Sequence, residues 1–338
     1  MPLLTRKKIV TQIGIFFILF IGVIVATPFI GSTDVSFENA FDFNLPFDEN
    51  IDAQKIFLLR MPRILLAALA GASLALTGLV FQALLRNPLA DPFTLGVSSG
   101  AAFGAVVVIK MGLQVSFVGF STVTVAAFGG AMLSIGLVFM FARLLSGRFS
   151  MMILILAGIS ISFFFSALIL FVHYLADFTE TYHMIRWLMG GVDVVNYDVI
   201  LRLLPFCMIG FLILFSIGRH LNVISSGEEF AMARGIDVMK IQKVAFITTS
   251  LLTGAIVSVC GPIGFIGLIV PHILRILVGP DHRLLIPAAI LFGGSFLIFC
   301  DTLARTIIAP AEIPVGILTA LMGGPFFLWL LRKRRYLF

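Results

Sequence analysis

Of 338 residues, 60% are apolar and only 12% charged, against roughly 25% charged in soluble domains, so lipid rather than water is the expected solvent. The apolar runs are continuous and lack the alternation of a β-barrel, and the net charge of +6 is concentrated in basic runs beside apolar stretches. That placement favours anionic lipid over nucleic acid as the partner of the basic residues.

In chain order, Arg6, Lys7 and Lys8 precede an apolar run from Ile9 to about Ile30. The run mimics a secretion signal, but its length and the unsuitable Ala26-Thr27-Pro28 predict an uncleaved first span. A span needs roughly 20 apolar residues to cross about 30 Å of hydrocarbon, so a chain of this length has room for about ten. The apolar runs predict spans at 9–30, 62–84, 93–110, 117–142, 151–174, 197–217, 243–260, 263–278, 284–304 and 314–332, one all-α integral membrane domain over 1–338. The longest polar segments are 31–59, 175–196 and 218–242.

With the basic N-terminus inside the cell, alternation leaves most Lys and Arg residues on the inner side, as the positive-inside rule requires. Both termini are then cytoplasmic, and Arg332, Lys333, Arg334 and Arg335 close the last span there. Asp34, Glu38, Asp42, Asp48, Glu49 and Asp52 fall in the first external loop.

Small residues recur along single helix faces: Gly71, Ala75 and Gly78, a stripe that continues to the larger Gln82; Gly96, Gly100 and Gly104; Gly316, Ala320 and Gly323. Such stripes predict close backbone approach between helices, with a pathway lining as the alternative. Gly71-Ala72 and Gly254-Ala255 hint at paired halves.

The chain contains no Gly-Lys pair and therefore no phosphate-binding P-loop, and no His-Glu-x-x-His helix. Cys207, Cys260 and Cys300 lie singly in apolar stretches, which suits buried small residues and suggests no metal site. His173, His183, His220, His272 and His282 mostly fall at span ends, where wetted or capping roles fit. Asp301 and Arg305 are spaced for an ion pair on one helix face, with a docking role open beside it. The segment from Ser225 to Asp237 reads as a serine-capped short helix with Glu228 and Glu229 in its first turn and a stop at Gly235. Led by acids rather than lysines, it suits a handle for a cytoplasmic partner better than a surface-lying helix.

Several longer motifs then occur in order. They are Arg60-Met61-Pro62-Arg63, Ala70-Gly71-Ala72, Arg86-Asn87-Pro88-Leu89-Ala90-Asp91-Pro92 and Leu95-Gly96-Val97-Ser98-Ser99-Gly100-Ala101. Trp187-Leu188-Met189-Gly190-Gly191, the 227–235 loop, Gly261 to His272, Asp301-Thr302-Leu303-Ala304-Arg305 and Glu312-Ile313-Pro314-Val315-Gly316 follow. From about residue 55 to the C-terminus the chain resembles the FecCD-type ABC transporter permeases of iron-siderophore, haem and cobalamin uptake.

That resemblance implies a type II ABC importer permease fold: ten-span subunits, paired as a homodimer, or with a paralogous permease as the alternative, around one pathway in the bacterial cytoplasmic (inner) membrane. It implies cytoplasmic ATPase subunits, which bind the ATP and Mg, and an external substrate-binding protein; no cofactor or metal is expected in this chain, and no enzymatic activity. By the same resemblance Gly227, Glu228, Glu229, Ala231, Arg234 and Gly235 form the ATPase-coupling segment. Arg60, Arg63 and Arg305 dock the binding protein, with ordinary snorkelling as the alternative for Arg60 and Arg63. Asn87, Pro88 and Leu89 form a cytoplasmic gate or a purely structural turn. The expected cargo is an iron(III)-siderophore, then cobalamin or haem; rivals from other classes are an ion-coupled secondary transporter and an intramembrane enzyme.

Overall fold

The computed structural model describes residues 6–42, 44–113, 115–117, 119–146, 151–193 and 196–334. Arg335, the last of the C-terminal basic run, lies outside them. Seven helical segments are long and apolar enough to cross a membrane, and three shorter apolar helices accompany them.

The long segments begin with α1 (Arg6–Ala26). Two short helices follow, α2 (Phe37–Ala40) and α3 (Ile51–Gln54), and a π-helical turn over Lys55–Arg60 runs into α4 (Met61–Leu84). After a 3-10 turn at Pro92–Leu95 come α5 (Val97–Met111), a hairpin of β1 (Ser116–Phe117) and β2 (Phe120–Ser121), and α6 (Thr122–Ser146). Next are α7 (Met151–Tyr174), α8 (Phe178–Leu188), α9 (Tyr197–Ser216), α10 (Gly218–Ser225) and α11 (Glu228–Ala233). The chain finishes with α12 (Val238–Cys260), α13 (Ile266–Val278), α14 (His282–Thr306) and α15 (Val315–Arg334).

Helix α4 is the hub, buried along nearly its whole length and packed by α14, α12, α13 and α9. Its sequence explains the position: Ala67, Ala68, Ala70, Gly71, Ala72, Ala75 and Gly78 present so little side chain that neighbours touch its backbone. A Cβ on Gly71 would stand 2.3 Å from the Gly293 carbonyl oxygen, and one on Gly78 only 2.1 Å from that of Gly267. Because lipid tails are as apolar as leucine, such helices gain by close van der Waals packing rather than by escape from water. A second layer, α5, α6 and α7, repeats the device: Gly100 faces Gly130 and Gly104 faces Ala126. These glycine stripes are therefore packing seams. Cys207, Cys260 and Cys300 are free and buried.

Several boundaries differ from the apolar pattern. The span expected from 93 begins at Val97, since Asp91 accepts from the Phe93 N–H and starts a 3-10 turn ending at Gly96, whose φ is +79°. The span expected from 117 begins at Thr122, because Phe117 pairs with Phe120 across the hairpin. The segment 175–196 carries α8, opened by a capping box in which Asp177 and Glu180 satisfy each other's backbone N–H groups. The expected serine cap before Glu228 is absent: the Ser225 and Ser226 hydroxyls donate backward to Leu221 and Asn222 carbonyls, and Gly227, at φ +135°, is the residue at the cap.

Candidate functional sites at the two ends of the bundle

At one end, α4 and α14 bring Arg63, Asp301 and Arg305 together. Arg63 Nε donates to both Asp301 oxygens at 3.1 and 3.0 Å, and its Nη2 donates to Oδ1 at 2.9 Å. Its Nη1 reaches Glu312 at 2.6 Å and Asp193 at 3.2 Å. Asp301, only 1% exposed, also lies 3.1 Å from Arg305 Nε, one helical turn along α14. That contact lies off the N–H direction and acts by charge alone.

Arg60 does different work. It is 7% exposed and donates to the carbonyls of Pro28 and Thr33 and to the Thr33 hydroxyl. Its guanidinium thereby fastens the chain after α1 to the start of α4, over Gly31, where a Cβ would come within 2.9 Å of it. The three arginines expected to dock a partner are thus gathered, but each is held by this chain's own groups. Between them opens a cavity of about 130 Å³ lined by Lys55, Arg60, Arg63, Arg305 and Glu312, four cations to one acid. Sequence reading missed Asp193 and Glu312 as partners of Arg63; Glu312 stands 249 residues away, and no local spacing carries that signal.

The same end explains three glycine motifs. The Gly191 N–H donates to the Cys260 carbonyl at 2.7 Å, and the Gly316 N–H to the Gly190 carbonyl at 3.1 Å. A Cβ on Gly190 would meet the Pro262 oxygen at 2.1 Å, and one on Gly316 the Met189 oxygen at 2.3 Å. The turn after α8, the unwound link between α12 and α13, and the start of α15 therefore converge backbone to backbone.

The opposite end carries α11. Ala231 is buried against Ile224 and Val238, which anchors this short helix on α10 and α12. Glu229, Phe230, Met232 and Arg234 are exposed, and the Arg234 guanidinium lies 4.4 Å from the Phe230 ring centroid. Gly235, at φ +76°, closes the helix, and the Ile236 N–H returns to the Ala231 carbonyl. Glu228 turns inward: it accepts from Gln242 Nε2 at 3.1 Å and lies 3.6 Å from Arg86 Nη2.

Arg86 ends α4 in the left-handed region, φ 47°, and the Asn87 N–H reaches back to the Gln82 carbonyl as in a Schellman turn. Asn87 Oδ1 accepts from the Leu89 N–H at 3.0 Å, so the Asn87-Pro88-Leu89 turn is braced by its own asparagine. The handle and this turn are thereby tied through Arg86 and Glu228, a link that no sequence motif announced. Alongside, Asn222 bridges α10 to α14, donating to Asp281 at 2.8 Å and accepting from the His282 N–H at 2.8 Å. Burial alone would raise the Asp281 carboxyl, but hydrogen bonds from Arg283 and Asn222 outweigh it and bring its pKa to about 2.

Comparisons with known proteins bear on the chain as a whole. The FecCD transport family matches residues 18–333. The hemin transport system permease protein HmuU of Yersinia pestis is 40% identical over 82% of this chain and 83% of its own length. The cobalamin import system permease protein BtuC of Halobacterium salinarum is 42% identical over 82% of this chain and 73% of its own. A solved structure described as a metal-chelate type ABC transporter, inward-facing, superposes with a TM-score of 0.84 at 33% identity, covering 95% of this chain and 98% of that one. The chain belongs to the FecCD transport family of ABC transporter permeases, multi-pass membrane subunits that are not themselves enzymes.

Proposed function

We propose that this chain, paired with a second copy of itself, carries an iron(III)-siderophore across the bacterial cytoplasmic membrane by ATP-driven alternating access. Haem and cobalamin are the nearest alternative cargoes, since relatives of similar identity bear those names. One observation supports the reading above all others: a cation-lined cavity at one end and an acidic, backbone-rigid handle at the other, joined by a single apolar bundle.

In this reading the termini and the Glu228 end are cytoplasmic. Glu229, Phe230, Met232 and Arg234 enter a cleft of the ATPase, which supplies the bound ATP and Mg. The buried Ala231, with Gly227 and Gly235 in conformations that favour glycine, keeps the handle from yielding when the ATPases close. Glu228 passes that movement through Arg86 to Asn87, Pro88 and Leu89, which gate the pathway. At the outer end, the cavity among Lys55, Arg60, Arg63 and Arg305 receives a carboxylate of the binding protein. Several such charges orient docking and speed encounter more than they add affinity.

Uptake into vesicles containing the permease, its ATPase and binding protein, offered labelled ferric siderophore, haem and cobalamin in turn, tests the cargo. Accumulation of the ferric siderophore in preference to the others is expected. Preference for haem or cobalamin would replace the cargo and leave the mechanism standing.

A further inference from the structure

Helix α10 is joined to the start of α14 more firmly than the handle is joined to α4. Asn222 Nδ2 donates to Asp281 Oδ1 at 2.8 Å, and Asn222 Oδ1 accepts from the His282 N–H at 2.8 Å. An ionised carboxylate can only accept and a backbone N–H can only donate, so these two partners fix which end of the amide is which. The His282 ring, whose Nδ1 lies 2.7 Å from the same oxygen, therefore carries its proton on that nitrogen. His282 is buried. One turn earlier in α10, a Cβ on Gly218 would come 2.9 Å from Ile286 Cδ1, so the two helices touch along a full turn.

These bonds fall where α14 needs them. First-turn N–H groups have no partner inside their own helix. Asp281 satisfies that of Arg283, and Asn222 satisfies that of His282. Pro287 has no N–H to return to the Arg283 carbonyl, which weakens the ladder of the first turn and leaves it dependent on outside support. By contrast, the contact of Arg86 with Glu228 spans 3.6 Å between side chains 49% and 39% exposed, a setting in which an ion pair holds little.

We propose that Asn222 is a positioning residue for transport, making α10 and α14 one lever that carries displacement of the handle to the Asp301 cluster at the other end. The inference rests on the proposed reading of α11 as the handle of an ATPase. Helix α11 bears on α10 through Ala231 and Ile224, and α10 holds α14 through Asn222. From His282, α14 runs on for about 28 Å, at 1.5 Å per residue, to Asp301, which meets Arg63 and Arg305. Each joint is a contact in the structure, and a measured coupling between the two ends is what makes them a route.

The test takes the permease with its ATPase in nanodiscs and measures the affinity of the binding protein for that complex, with and without a non-hydrolysable ATP analogue. In the native chain the nucleotide shifts this affinity by at least about fivefold, the lower end of coupling between sites. Asn222→Asp sets two carboxylates face to face and abolishes the shift, and Asn222→Ala, which only deletes the bonds, does the same. Asn222→Asp combined with Asp281→Asn exchanges donor and acceptor, keeps an acceptor for the His282 N–H and restores the shift. A residue that merely stabilised the fold would lower the melting temperature and leave the ratio of affinities in place. No shift in the native chain, an unaltered shift in both single variants, or a double variant that stays uncoupled would each overturn the proposal. Failure of the underlying reading shows separately, as uptake by the native complex without ATP, and removes both.

Discussion

Arg63 holds three carboxylates at once, and Asp301, at its centre, is almost wholly enclosed by two arginines. Removing one member of a buried ion group strands the rest, at about 3–5 kcal/mol. Asp301→Asn therefore lowers the melting temperature of the purified protein markedly, whereas Glu312→Gln, at the exposed rim, costs under about 1 kcal/mol. Thermal unfolding in detergent compares the two, and equal losses would mean the network is not centred on Asp301. At the other end, the Asp281 pKa of about 2 lies below its ordinary 3.8. The stability this carboxylate contributes is thus complete above about pH 4 and lost as pH falls toward 2. Asp281→Asn flattens that acid limb, readable from unfolding midpoints between about pH 2 and 5. The i,i+4 pair of Asp301 and Arg305 was legible from spacing alone. Its third member was not, because Arg63 precedes Asp301 by 238 residues and only the packing of α4 on α14 joins them.

Among the elements, long apolar helices announce themselves, since hydrocarbon demands about 20 apolar residues whatever surrounds the helix. The stripes on α4 and α5 were equally legible, and they make a sharp contrast possible. Gly78→Ala drives a Cβ into the Gly267 backbone, which cannot step aside, and destabilises by about 1–3 kcal/mol. Gly136→Ala on α6 meets open space and leaves stability unchanged or raises it by about 0.5–1 kcal/mol. Comparable losses in both variants, measured by thermal unfolding, would remove the packing seam as the cause. Less legible were the elements where apolar content and backbone geometry part company. Phe117 and Phe120 read as span but form a hairpin, and Asp177 with Glu180 opened a helix inside a segment read as a loop. At α11 the acids and the Gly235 stop were readable, whereas the cap was misassigned because the serine hydroxyls turned back onto α10.

Across the whole molecule, the two clusters described above, around Arg63 and around Glu228, lie at opposite ends of an apolar body, and α4 runs between them from Arg63 toward Arg86. Its buried, glycine-seamed course makes it a stiff link between the cationic cavity and the Glu228 handle. Rigid elements with tied ends move as units, and under the proposed function this is the route by which closure of an ATPase would rearrange the pathway. Charge reversal in Glu228→Lys with Glu229→Lys should therefore weaken co-purification of the ATPase while thermal stability falls by under about 1 kcal/mol. Unchanged co-purification would locate the ATPase contact elsewhere. The most direct measurement is uptake of labelled cargo into sealed vesicles that contain this permease and its binding protein, with and without the ATPase and ATP. Accumulation against a gradient only when both are present, and lost in the double lysine variant, is expected; accumulation without them, driven by an ion gradient, would contradict it.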